Sequence, residues 1–210
     1  MRRKEIHPLT PDQVKVLLAA AAGDRLEALY VLAIHTGLRQ GELLGLKWDD
    51  VNLDNGTLQV RRSLSVTKDG LVLSSPKTKG SSRSVQLTSK GVDALQEHLK
   101  RQLEEIDAVG SLWRENGLIF ASETGEFLNR SHLIRYRFKP LLGRAGLPET
   151  TRFHDLRHTC ATLLLTRNVN PKIVSEMLGH ATISITLDTY SHVLPNMRDQ
   201  AAQAMQEALS

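Results

Sequence analysis

The chain has 210 residues, of which 40% are hydrophobic and 24% charged, so its composition is that of a globular domain and excludes wholesale disorder. Its single cysteine, Cys160, excludes an internal disulfide and any cysteine-rich zinc module and fits a reducing cytoplasm. The longest apolar runs, 16–22 and 28–34, are too short to cross a bilayer as helices, and nothing before them reads as a signal peptide. The net charge of +4 is unevenly placed. Residues 129–167 carry eight basic side chains (Arg130, Arg135, Arg137, Lys139, Arg144, Arg152, Arg157, Arg167) against Glu149 and Asp155, a local +6 on a remainder of −2. Such a distribution suits a polyanionic partner, although a solvated basic face is the plainer reading of charge alone.

Residues 1–8 read as a basic tail or the end of a linker. Thr10-Pro11-Asp12-Gln13 is a helix start, with Thr10 as cap, Pro11 in the first position and Gln13 closing a capping box. A second helix is expected from Asp24 to His35, stopped by Gly37, and a short third one over Arg39 to Leu46. Three segments of β-formers follow, Thr57–Arg61, Leu71–Ser74 and Ser82–Leu87, separated by the turn dipeptides Asn55-Gly56, Asp69-Gly70 and Lys79-Gly80; they predict a three-stranded antiparallel sheet. Helices are then expected over Ser89–Glu105, Asn129–Gly143, His154–Arg167, Pro171–Leu178 and Pro195–Leu209. The fold class is α+β: a mainly helical domain with a small three-stranded antiparallel sheet.

Three constellations could carry chemistry. In His154-Asp155-Leu156-Arg157-His158, helical spacing puts His154, Arg157 and His158 on one face. Two histidines four apart resemble a zinc motif, but an arginine between them and the lack of a clear third ligand oppose that reading. A phosphate site suits them better, with a guanidinium fork on two oxygens and an imidazole moving protons. In Met177-Leu178-Gly179-His180, the glycine ends a helix and leaves His180 just beyond it. Tyr190 lies ten residues on among Asp188, Thr189, Ser191 and His192; by itself it reads as a surface tyrosine, whereas Tyr30, within Leu29-Tyr30-Val31-Leu32, reads as core. Third, Arg39 follows the glycine turn at Gly37, with Glu42 one helical turn later, which by itself is an ordinary surface ion pair.

Taken in order, these segments resemble the tyrosine recombinase (phage integrase) family. The resemblance rests on Thr36-Gly37-Leu38-Arg39 with Gly41-Glu42-Leu43-Leu44-Gly45-Leu46 and Trp48, on Pro76-Lys77-Thr78-Lys79-Gly80-Ser81-Ser82-Arg83, on His154 to Thr162, on Leu178-Gly179-His180, and on Asp188-Thr189-Tyr190. It covers nearly the whole chain and looks most like integrases of temperate phages and conjugative transposons. It implies the tyrosine recombinase catalytic fold over residues 9–194, with residues 195–210 as a C-terminal helix or tail. It also implies site-specific cleavage and rejoining of DNA strands through a covalent 3′-phosphotyrosine, without metal, cofactor or ATP. Tyr190 would be the nucleophile, and Arg39 and Arg157 the grips on the non-bridging oxygens. His154 would be the base and acid for the tyrosine proton, and His180 a hydrogen-bond partner of the phosphate. A hairpin lysine, Lys77 in preference to Lys79, would protonate the leaving 5′-oxygen. Glu42 would orient Arg39; His158 reads as a helix-face or packing residue; Cys160 has no assigned role.

The family usually carries a second, N-terminal helical domain that completes a clamp on DNA. Here the motifs begin close to Met1, so weak, salt-sensitive binding to double-stranded DNA is expected. Other recombinase protomers, in a tetrameric synapse on DNA, are the expected protein partners, with no membrane association and a monomeric state for the isolated domain; the expected location is the cytoplasm. Competing readings are a DNA-binding module without catalysis, a type IB topoisomerase-like activity and, remotely, a zinc hydrolase.

Overall fold

Thr10 caps the first helix, α1 (Pro11–Ala21), by reciprocal bonds: its hydroxyl accepts from the Gln13 N–H at 3.2 Å, and the Gln13 side chain accepts from the Thr10 N–H at 2.9 Å. The structure is a computed structural model that describes residues 6–68, 70–74, 82–191 and 205–209. The second helix, α2 (Glu27–Thr36), is buried on every side, with Ala28 to Ile34 and Thr36 all inaccessible. A helix apolar all round must lie inside a domain. Accordingly α1, α3 (Gln40–Leu44), α4 (Ser89–Val109) and α7 (Asp155–Thr166) all pack against it. Each of its buried leucines contributes on the order of 1.5–3 kcal/mol. Gly37 ends α2 in the left-handed region at φ 62°, and a Cβ there would lie 2.5 Å from Leu178 Cδ2. The turn therefore needs glycine on two grounds, and it delivers Arg39 to the start of α3.

The sheet differs from expectation in its membership. Three antiparallel strands run in the order β1 (Val51–Asn52), β2 (Thr57–Val60), β5 (Arg83–Gln86), with Leu58 opposite both Val51 and Val85. The segment Leu71–Ser74 is not in this sheet: as β4 (Gly70–Ser74) it pairs with β3 (Ser63–Thr67) in a separate ribbon, Leu64 facing Leu73. The ribbon partner alternates Ser63, Leu64, Ser65 and Val66, a pattern hidden by its polar half, and β1 is too short to show any alternation.

The expected helix over Asn129–Gly143 is divided. Its first turn, α5 (Arg130–Leu133), opens into a π-helical segment over Ile134–Phe138 before α6 (Lys139–Arg144). The cause is Pro140, which has no N–H for the Tyr136 carbonyl and crowds it; the ladder widens so that the Lys139 N–H reaches the Ile134 carbonyl, five residues back. Helix α8 (Pro171–Leu178) has the expected bounds and ends at Gly179, φ 68°. Beyond it lies α9 (Ile183–Tyr190), which the sequence reading did not anticipate, because only Thr186 and Tyr190 of its residues are buried. Tyr190, Leu178, Val174, Leu165 and Ala161 make a small second core between α7, α8 and α9. Of the expected terminal helix, residues 205–209 are helical and exposed; the rest lies outside the described residues. No helix among the described residues is long and apolar enough to cross a membrane.

Candidate functional site

Glu42 is the organiser of the site. One turn into α3 and buried, its carboxylate accepts the backbone N–H of Arg39 and the Arg39 Nη1, both at 2.8 Å, and Arg83 Nη2 at 2.9 Å. Burial alone would raise its pKa, but the hydrogen bond and charge of Arg83, reinforced by Arg39, hold it below the usual carboxylate range. Arg83, on β5, also donates from Nε to the Met177 carbonyl at 2.6 Å, so it ties the sheet to the end of α8. The sequence reading gave Arg83 no role, although it closes the hairpin motif Pro76 to Arg83 on which the resemblance partly rests.

The two expected arginines converge on neighbouring carbonyls. Arg39 Nη2 donates to the Gly179 carbonyl at 3.1 Å. Arg157 comes from the first turn of α7 and is only 4% exposed; its Nη1 donates to the Leu178 and Gly37 carbonyls, each at 2.8 Å. The Arg157 Nη2 has no hydrogen-bond partner among the described residues, so part of the fork remains available to an anion. Burial, and then the charge of Arg39, pull the Arg157 pKa down to about 10, which leaves it protonated at neutral pH. Two guanidinium groups seated on adjacent carbonyls could together hold an anion.

His180 follows Gly179 directly, and its Nδ1 is hydrogen-bonded to Thr186 Oγ1 at 2.7 Å, which ties the turn to α9. Its pKa is pushed down to about 4 by burial and by the charges of Arg157, Arg39 and Arg83. His154 stands at the start of α7, where burial and Arg157 lower its pKa. Its ring meets that of His158 edge-on at 4.8 Å between centroids. The Tyr190 hydroxyl shares a hydrogen bond with His158 Nδ1 at 2.8 Å, and His154 has no hydrogen bond to it. His158 is therefore more than the packing residue read from the sequence. Its pKa is pushed down to about 4 by burial and by His154. Tyr190 itself is 1% exposed, not a surface tyrosine, and burial pushes its phenol up to about 12 against the opposing pull of Arg157.

Asp155 is buried next to this cluster and accepts the Arg152 backbone N–H at 2.8 Å and Arg152 Nη2 at 2.6 Å, fixing the start of α7. Cys160 is buried, with its thiol pushed up to about 12 by that burial, and packs under the Gly37 turn. Lys77 and Lys79 lie outside the described residues. No group of three or more His, Cys, Asp or Glu among the described residues could hold a metal ion. The basic segment adjoins α3: Arg130 Nε donates to Gln40 Oε1 at 3.0 Å, and Arg135 lies exposed over the Tyr136 ring.

A mainly helical α+β domain of this kind is the architecture of tyrosine recombinase catalytic domains. Residues 7–197 match the model of the phage integrase family, and the chain belongs to that family. It is 40% identical to a XerC-like tyrosine recombinase of Caldanaerobacter subterraneus subsp. tengcongensis, over 97% of this chain and 54% of that protein. It is 27% identical to the ICEBs1 integrase of Bacillus subtilis, over 100% of this chain and 56% of that one. The chain thus spans about half the length of the curated relatives it matches. Among solved structures, the Tn1549 transposon integrase in complex with transposon right end DNA aligns with a TM-score of 0.80 at 25% identity, covering 100% of this chain and 68% of that one.

Proposed function

We propose that residues 9–194 form the catalytic domain of a site-specific DNA recombinase of the integrase type, acting in the cytoplasm on double-stranded DNA. The observation that carries this reading is the seating of Arg39 and Arg157 on the adjacent carbonyls of Gly179 and Leu178, with His180 on the same turn and Tyr190 at the end of the next helix. In this reading Tyr190 attacks the scissile phosphorus, leaving a 3′-phosphotyrosine and a 5′-hydroxyl. As phosphorus becomes five-coordinate its oxygens gain negative charge, and the fixed guanidinium groups of Arg39 and Arg157 stabilise it, each worth on the order of 10²–10³ in rate. His154 and His180 bond the phosphate oxygens, and Lys77 (or Lys79) protonates the departing 5′-oxygen. The phosphotyrosine keeps the energy of the broken bond, so rejoining needs no ATP. Strand exchange requires other protomers on DNA, arranged as a tetrameric synapse, while the isolated chain is monomeric.

The test is a nicked suicide duplex spanning the attachment junction of the element that encodes the chain, incubated with chelator and run on a denaturing gel. A covalent protein–DNA adduct is expected with the wild-type chain and none with Tyr190→Phe. An adduct that persists in Tyr190→Phe overturns the assignment of the nucleophile.

A further inference from the structure

By the family resemblance the phenolic proton of Tyr190 would pass to His154, but the geometry around the tyrosine favours another imidazole. Three imidazoles lie near it, and geometry separates them. His180 is engaged through Nδ1 with Thr186 Oγ1 at 2.7 Å. His154 meets the ring of His158 edge-on and makes no hydrogen bond to the tyrosine. Among the described residues, only His158 has a ring nitrogen against the reacting oxygen, Nδ1 to Oη at 2.8 Å, inside the reach a proton acceptor needs. Both partners are held: His158 is on α7 one residue after Arg157, and Tyr190 is packed among Ala161, Leu165, Val174 and Leu178.

We infer that His158 is the proton acceptor for Tyr190, receiving the phenolic hydrogen on Nδ1 as the oxygen attacks phosphorus. This rests on the recombinase reading of the site. In the step, the Tyr190 O–H bond breaks and its hydrogen passes to His158 Nδ1 while a bond forms between Oη and phosphorus. The bond from phosphorus to the 5′-oxygen breaks, and that oxygen takes a proton from the hairpin lysine. On religation the same proton returns from His158 to Tyr190.

The surroundings suit an acceptor. Among the described residues, the charged and titratable groups around the ring are His154, Asp155, Arg157 and the preceding Arg152 on its own side, Tyr190 from α9 and His180 from the turn after α8. Burial, and then His154, hold the imidazole neutral and so able to accept at physiological pH, against the opposing pull of Asp155. As acceptor, Nδ1 must be bare, which puts the ring hydrogen on Nε2. An incoming anionic phosphodiester then favours the imidazolium and strengthens the base when it is needed.

Two measurements test this. In ¹⁵N-histidine NMR spectra near neutral pH, His158 should appear as the neutral Nε2–H tautomer, and its Nδ1 resonance should move in Tyr190→Phe. An Nδ1–H tautomer, or no change in Tyr190→Phe, overturns the inference without any DNA. In the suicide-duplex assay, His158→Gln keeps a hydrogen-bond acceptor but cannot take the proton. Its cleavage rate should fall by about 10²-fold or more with unchanged DNA binding. Its rate should also climb about tenfold per pH unit where the wild type is flat, because hydroxide must now remove the proton. A His158→Gln rate and pH profile equal to wild type, with Tyr190→Phe inactive, overturns the inference and leaves the recombinase reading standing. An adduct in Tyr190→Phe overturns both.

Discussion

Arg83 Nη2 meets Glu42 Oε2 at 2.9 Å with both side chains almost wholly buried, 7% and 6% exposed. This pair joins the sheet to α3, and through the Arg83 bond to Met177 it joins both to α8. Removing one member of a buried pair strands the other charge and costs about 3–5 kcal/mol. Glu42→Ala and Arg83→Ala should each lose stability of that order in urea unfolding. The double substitution should lose less than the sum, because no stranded charge is left. Arg39 loses its anchor in Glu42→Ala, so any cleavage activity should fall beyond what unfolding explains.

Gly179 bears on the same contact from the other side. Its φ is 68°, and a Cβ built there would lie 2.7 Å from Arg83 Nη1 and 3.0 Å from Arg83 Cζ. Gly179→Ala therefore combines backbone strain with displacement of the Arg83 guanidinium, whose neighbours hold it on two sides. We expect a loss of roughly 1–3 kcal/mol in chemical denaturation and a slower covalent step, since the Gly179 carbonyl also seats Arg39. An Ala variant as stable as wild type would mean that Arg83 yields without cost.

Acid should destabilise the fold in a defined window. The folded-state pKa values of His158 and His180 are pushed down to about 4 from an ordinary value of 6.5. Between those values the unfolded chain binds more protons than the native one, so stability rises with pH across the window and falls as pH drops from 6.5 towards 4. Glu42 and Asp155, whose pKa values are lowered in the native state, act in the same direction at still lower pH: their stabilisation is complete above the unfolded carboxylate value and is lost below it. Thermal melting points should fall through the histidine window, and His158→Gln with His180→Asn should flatten that part of the curve. An unchanged slope in the double variant would mean that other groups titrate there.

Much of this arrangement was legible in local sequence. Thr10 with Gln13, Gly37, and Pro171 with Gly179 mark element ends because caps and left-handed glycines are local devices. Arg39, Arg157, His180 and Tyr190 were singled out by the order of motifs, and the structure adds that the two arginines donate to adjacent carbonyls at the end of α8. What stayed hidden depends on partners distant in the chain. Leu71–Ser74 looks the same whether it pairs with β2 or β3. The contact of Arg83 with Glu42 spans 41 residues, and that of His158 with Tyr190 spans 32. Tyr190 reads as a surface residue because its sequence neighbours are polar, yet helix α9 turns it inward onto α7 and α8.

The basic segment around the π-helical turn gives the final prediction. Arg130 and Arg135 line a shallow groove with Gln40, Val66 and Ile134, next to the helix that carries the anchor of Arg39. Arg135 has no acidic partner among the described residues, whereas Arg137 is already paired with Glu123 at 2.8 Å. A free cation that neutralises a phosphate releases a counterion; a paired one releases less, because its charge is already partly matched. If duplex DNA lies over this face, titration of a fluorescent duplex at several salt concentrations should separate the two. Arg135→Ala should lower the slope of log K against log salt by about 0.9, Arg130→Ala by a similar amount, and Arg137→Ala by clearly less. Equal and negligible changes for all three would move the DNA path off the groove, leaving the local charge as a solvated surface.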